Sequence, residues 1–254
     1  MAEVYSGSGD IHRSLALMWD YDDRPATRGP KPKLTLGAIV DTAVAVADAE
    51  GLEAVSMRRL AGELGVGVMS LYRHVPGKAE LLDLMLERVN YVDHATDLGA
   101  DWRLAMQALG RGLWALYTTH RWLPLVDQTR PLLGPNALRG LDVALAALER
   151  TGLTGQEQVA VIVAIDAFAL SAARTHNSAQ LAERITGVSN EEFWKAQEPV
   201  LTAAMESGRY PHVAGLDDDA FDMSGEALLE FGLQGLIDGF AVLVETRAGS
   251  PPAG

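Results

Sequence analysis

Apolar residues recur at helical spacing along most of the chain, and glycines and prolines cut the recurrence into segments. Ile39, Ala43, Val46 and Ala47 share one face, which predicts a helix from about Thr35 to Glu50 stopped by Gly51. A second helix starts near Ser56, a good N-cap, turns Leu60, Ala61 and Leu64 inward and ends at Gly65. A third covers only about Gly67 to His74. After Val75-Pro76-Gly77 a fourth begins near Lys78, with Leu81, Leu82, Met85, Leu86 and Val89 on one apolar face. Beyond Thr96 the pattern predicts helices at about 101–119, 134–151, 155–180, 189–207 and 224–246. Ile11 to Trp19 adds a helical turn or two near the start, and Gly208 to Asp219, with its acidic run Asp217-Asp218-Asp219, reads as a solvated loop. No sustained period-two alternation bounded by hairpin turns occurs, so strands should be few or absent and the expected fold class is all-α.

Composition narrows the class. With 48% hydrophobic and 22% charged residues in 254, the chain has the makings of a substantial core. It holds no cysteine, which removes thiolate catalysis, disulfides and cysteine-ligated zinc. The start MAEVYSGSGD lacks a basic then apolar leader pattern and no run reaches 18 apolar residues, so a cytoplasmic protein without a membrane partner is expected. The net charge of −13 argues against nucleic acid until its distribution is read. Residues 24–80 carry a net +2, whereas residues 81–254 carry −11 and the first 23 carry −4. A mildly basic module is attached to an acidic body. Just ahead of the module, Arg24 to Lys33 hold four cations and no acid, an arm suited to a phosphate or to solubilising a linker.

A helix-turn-helix needs one helix braced on the DNA backbone and a second whose exposed side chains meet base edges. Gly65-Val66-Gly67 supplies the turn, Leu64, Val66 and Leu71 should hold the angle, and the third helix has the length of a recognition helix. Ser70, Arg73 and His74 are then left outward, with Val68 and Met69 at the leading end, where they offer only apolar contact. Tyr72 can reach a phosphate through its hydroxyl, and Arg58 and Lys78 flank the reader as phosphate clamps. Arg59 reads instead as a partner of Glu63 four residues on.

The segments SMRRLAGELGV (Ser56 to Val66), SLYRHVPGK (Ser70 to Lys78) and AELL (Ala79 to Leu82) resemble the N-terminal domain of the TetR family of transcriptional regulators over roughly a quarter of the chain. The resemblance implies an all-α homodimer in which each subunit reads half of a palindromic double-stranded DNA operator. It also implies Arg58, Ser70, Tyr72, Arg73, His74 and Lys78 as the DNA-contacting set. The expected organisation is a three-helix DNA-binding domain at 34–80, preceded by an extension and basic arm at 1–33. A larger helical ligand-binding and dimerisation domain should follow at 81–246, with a fraying tail at 247–254.

The body is more loosely similar to the tetracycline-repressor branch, through Arg130 to Thr154 and Gln156 to Thr175. The position that matches that repressor's metal-ligating histidine is Val126, which cannot hold magnesium, so no metal or other cofactor and a different small organic inducer are expected. Trp102, Trp114, Tyr117, Trp122, Gln128, Phe168, Arg174, His176 and Asn177 are candidates to line its pocket, although tryptophans at helical spacing also serve as plain core. Asp166 and Arg174 fall on one face of the long helix. Gly232, Gly235 and Gly239 on the last helix suggest close approach of another backbone, either a partner's or one within the chain. The family makes its dimer from the last two long helices, here Gln156 to Ser178 and Ala227 to Glu245. No catalytic constellation is present: G-x-S-x-G, a phosphate-cradling glycine loop and H-x-x-x-H are all absent, so an enzyme is not expected. The reading is a ligand-released repressor. The alternatives are a helical small-molecule-binding protein and an activator in which ligand does not release DNA.

Overall fold

The computed structural model describes residues 4–22, 34–93, 96–217 and 219–248. The basic arm Arg24 to Lys33, Asp218 of the acidic run and most of the C-terminal tail lie outside the described residues. Among the described residues eleven α-helices and two short strands follow one another: β1 (Val4–Tyr5), α1 (Ile11–Asp22), α2 (Leu36–Glu50), α3 (Met57–Glu63), α4 (Val68–Tyr72), α5 (Lys78–Val89), α6 (Trp102–Thr119), β2 (Val126–Asp127), α7 (Pro135–Leu148), α8 (Gly155–Thr186), α9 (Asn190–Glu206), α10 (Pro211–Ala214) and α11 (Gly225–Ala248). The fold is all-α apart from β1 and β2, which pair in parallel with Val4 opposite Val126.

Side chains named by the sequence set the helix ends. Thr35 and Ser56 cap α2 and α3 by accepting hydrogen bonds from the backbone NH groups of Ala38 and Arg59. Thr154 and Glu157 form a reciprocal capping box at the start of α8, and Ser189 and Glu192 do the same for α9. Helix α8 runs to Thr186, past the expected end at about residue 180, because no breaker intervenes before Gly187, whose φ of +69° closes it in the left-handed region. Helix α10 is one turn inside the stretch read as loop, started by Pro211.

Two apolar cores result. The first unites the N-terminal helices: Ile39, Leu60, Leu71, Leu81 and Met85 are fully buried together with Met18 of α1 and with Trp122 and Leu123, which follow α6. The second holds α6, α7, α8 and α11 together through Met106, Leu148, Ile165, Leu229, Leu233 and Ile237. Each such side chain contributes about 1.5–3 kcal/mol by leaving water. Helix α5 belongs to the first core on every side. All eight residues from Glu80 to Glu87 are buried, carboxylates included, because α1, α2 and α7 cover it.

Candidate nucleic-acid interface and ligand-binding body

The turn between α3 and α4 is made as its composition requires. Gly65 takes a φ of +63°, and the chain is returned by the hydrogen bond from Val66 NH to the Ala61 carbonyl at 3.0 Å. Leu71 is fully buried and Leu64 and Val66 half-buried, so α4 is fixed by one side and shows the other. On that outer side Tyr72 and Arg73 are exposed, Ser70 and His74 half-exposed, and Met69 stands at 72% exposure at the leading end. Arg58 and Lys78 are exposed to either side.

Charge on this surface is sorted. Arg59 is neutralised, its guanidinium shared between Glu50 at 2.7 Å and Glu63. Arg58 and Arg73 have no ion-pair partner among the described residues, and Lys78 reaches only the Leu52 carbonyl, at 3.4 Å. Cations left without carboxylates are free to meet phosphate.

In the body, the candidate ligand residues divide. Trp114 and His176 stack with ring centroids 5.2 Å apart, and beside them the Asn177 amide donates to the Tyr117 carbonyl at 2.9 Å. The Tyr117 hydroxyl donates to Asp166 Oδ1 at 2.6 Å. Burial pushes the Asp166 carboxyl above the ordinary carboxylate range, opposed by that hydrogen bond. Burial first, and the Asp166 charge second, raise the tyrosine. These five aromatic and polar residues form one cluster at the seam of α6 and α8. Phe168 lies against Gly232, where a methyl group would fall within its ring. Trp102 sits under the Arg103 guanidinium, 4.9 Å from its ring centroid, and Gln128 is half-buried just after β2. Arg174 is exposed, on the outer face of α8 with Val159 and Val163. Trp122 is turned towards the reader: its indole NH donates to Asp48 Oδ1 of α2 at 2.8 Å, and His120 Nδ1 meets the same oxygen at 2.8 Å.

Two cavities stand out. One, of about 310 Å³, lies in the joint between reader and body, among Asp41, Asp48, Arg88 and His120. The other, of about 290 Å³, is lined by Tyr5, Ser8, Leu52, Val55, Lys78 and Leu82. Neither is lined by the candidate ligand residues. Among the described residues no group of three His, Asp or Glu side chains is gathered to hold a metal ion.

Sequence reading passed over the buried carboxylates of α5. Asp83 is 1% exposed and accepts from Gly7 NH at 2.8 Å, from the Ser14 hydroxyl at 2.7 Å and, at 3.4 Å, from Ser6. Glu80 accepts from Asp10 NH at 3.0 Å, and Glu87 from Asn136 NH at 2.6 Å. Spacings of three and four residues put all three on one face of the helix, the one signal in the sequence that could have found them.

Comparison with known proteins agrees with this geometry. Residues 39–85 match the family described as "Bacterial regulatory proteins, tetR family", and residues 95–244 match "Tetracyclin repressor-like, C-terminal domain". The chain is 51% identical over 246 residues, 96% of its length and 90% of the other's, to the HTH-type transcriptional repressor DrrR1 of Streptomyces coeruleorubidus. An HTH-type transcriptional regulator of Saccharopolyspora erythraea is 31% identical, covering 83% of this chain and 86% of its own. Among solved structures, apo ActR from Streptomyces coelicolor superposes with a TM-score of 0.68 at 27% identity, over 85% of this chain and 99% of that one. ActR in complex with actinorhodin gives 0.61 at 28%, over 83% and 96%.

Proposed function

The chain belongs to the tetR family of bacterial regulatory proteins and is a helix-turn-helix transcriptional repressor; from that premise we propose that it acts as a cytoplasmic homodimer on a palindromic operator and lets go when a small organic inducer occupies the body. The observation that carries the reading is the sorted charge of the reader: among the described residues Arg58, Arg73 and Lys78 have no carboxylate partner, on a chain whose net charge is −13. In this reading residues 34–80 read DNA and residues 81–246 bind ligand and dimerise. Arg58, Tyr72 and Lys78 hold phosphates, while Ser70, Arg73 and His74 face the groove.

Helices α8 and α11 support the dimer. Val159, Val163, Ala167 and Ser171 line one exposed stripe of α8, and Leu228, Phe231, Gly235, Gly239 and Val242 line one of α11. Phe231 is 73% exposed and Val163 58%, a degree of apolar exposure that marks an interface. The two readers of a dimer must stand about 34 Å apart to enter successive major grooves. An inducer that binds better to a body with another spacing weakens DNA binding by that difference alone. Trp114, Tyr117, His176 and Asn177 are the residues to receive it, with Trp102, Phe168 and Gln128 near the same four-helix body. The actinorhodin complex of ActR supports a small-molecule inducer.

The test is capture of genomic fragments by the purified protein, followed by titration of the best fragment at two salt concentrations. A palindrome should be enriched, and Arg73→Ala or Lys78→Ala should lower affinity and reduce the salt slope by about one unit each. Actinorhodin, added as the first probe, should compete with the operator. A folded, ligand-free protein that enriches no fragment at low salt would sink the operator reading.

A further inference from the structure

Residues 4–22 precede the part of the chain that matches the family, which begins at residue 39, yet they are tied into the helix that joins reader to body. We propose that this segment is a strap that sets the pose of the reader on the body, with Asp83 as the positioning residue through which it acts.

The strap is fixed at both of the parts it joins. On the body, β1 pairs with β2, and Ser6 NH donates to the Asp127 carbonyl at 3.0 Å. On α5, both oxygens of Asp83 are taken by strap donors, Gly7 NH and Ser6 on one and the Ser14 hydroxyl on the other. A carboxylate at 1% exposure is costly unless hydrogen-bonded, so Asp83 and the strap each require the other. Ser14 is itself fully buried, and Met18 of α1 sits in the same core as the reader's Ile39 and Leu60. At Gly9 the approach is so close that a Cβ would stand 2.5 Å from Glu80 Oε1 and 2.9 Å from Ala79 Cβ.

Position along the chain turns these contacts into control. Helix α5 follows the recognition helix after five residues, so its tilt carries α4 with it. The strap holds the first turns of α5 through Glu80 and Asp83, while near its end the Asn136 backbone and amide, at the start of α7, donate to the Glu87 carboxylate and carbonyl. Any other tilt must break buried carboxylate pairs together, which gives the joint discrete positions in place of a continuous range.

The chain has no cysteine, so a label pair is introduced cleanly at Glu53→Cys on the reader and Ala146→Cys on α7, both exposed. Labelled chain, diluted in excess unlabelled chain so that no assembly carries two labelled copies, gives the reader-to-body distance within one chain by spin–spin coupling. The unaltered strap should give one narrow distance. Asp83→Ala and Gly9→Ala should broaden or shift it at unchanged helix content and association state, and lower affinity for the captured operator by about tenfold. Asp83→Asn keeps an acceptor for Gly7 and a partner for Ser14 and should restore both readouts. If Asp83→Ala does not fold, Gly9→Ala and Ser14→Ala carry the measurement. A folded variant with the native narrow distance would overturn the strap. The distance is read without DNA, so failure to find an operator would count against the operator reading and leave this result standing.

Discussion

At Tyr117 and Asp166 the body buries a phenol against a carboxylate, and the two groups answer differently to change. Burial raises the Asp166 pKa, so the stability this residue contributes is fully present below the ordinary carboxylate range and is lost as pH rises through the raised value. Asparagine at this position still accepts from the Tyr117 hydroxyl but never ionises. Asp166→Asn should therefore gain on the unmodified protein as pH climbs out of the acid range, read as the difference between two melting curves at each pH. Tyr117→Phe leaves a part-buried carboxylate without its donor at 2.6 Å and should cost about 1–3 kcal/mol at neutral pH. If both variants lose stability equally at every pH, the carboxyl is not titrating as described. Glu157 runs the other way. Hydrogen bonds from the Thr154 backbone, then from Arg247 and the Thr154 hydroxyl, hold it at about 2, so its contribution is full above the ordinary carboxylate range and is lost as pH falls from there through that value.

Among the elements, α11 shows how three glycines of one helix come to serve different ends. A methyl group at Gly232 would collide with the Phe168 ring of α8, whereas Gly235 and Gly239 face open space within the chain. Gly232→Ala should therefore cost the fold about 1–3 kcal/mol, seen as a lower melting temperature. Gly235→Ala and Gly239→Ala should leave each chain folded and weaken self-association, seen by sedimentation across a concentration series. The intrachain crossing and the partner approach, which glycine spacing alone could not separate, are thus assigned to different residues. The ends at Gly51 and Gly65 were legible because stops are local and each glycine closes its helix through its own backbone freedom, whereas α8 overran its expected end to stop at Gly187. The reader was legible for the same reason, since its turn, caps and outward cations fall within about 25 residues of each other. Helix α5 was legible on one face only. Its apolar residues were evident, but Glu80, Asp83 and Glu87 drew no reading because their partners come from residues 7, 10, 14 and 136. Trp122 was placed with the ligand set for want of any local mark that its indole belongs to Asp48.

For the molecule as a whole, α8 and α11 pose the question of what covers them. By length and composition both could cross a membrane, yet only 28% and 22% of their most apolar windows are buried within the chain. The polar edge of α11 argues for a protein neighbour: Arg111 forks onto Glu230 at 2.6 and 2.7 Å, and Gln107 meets Gln234 at 2.9 Å. Helix α9 adds to the uncovered surface, with Phe193, Trp194 and Val200 between 49% and 72% exposed. In the proposed dimer a second copy would supply the missing cover, and Phe231→Asp should then yield monomers whose operator affinity collapses while the helix content holds. A variant that stays dimeric by sedimentation would place the interface elsewhere. The attachment of the N-terminal segment has a consequence for synthesis. Its first residues leave the ribosome before any of their partners exist, and Val4 waits for Val126 just as Gly7 waits for Asp83. The reader's helices are local and form early, but the closure over them spans about half the chain and comes late. A polypeptide that stops short of residue 126 therefore carries the reader's helices without the strand pairing that closes the strap over them.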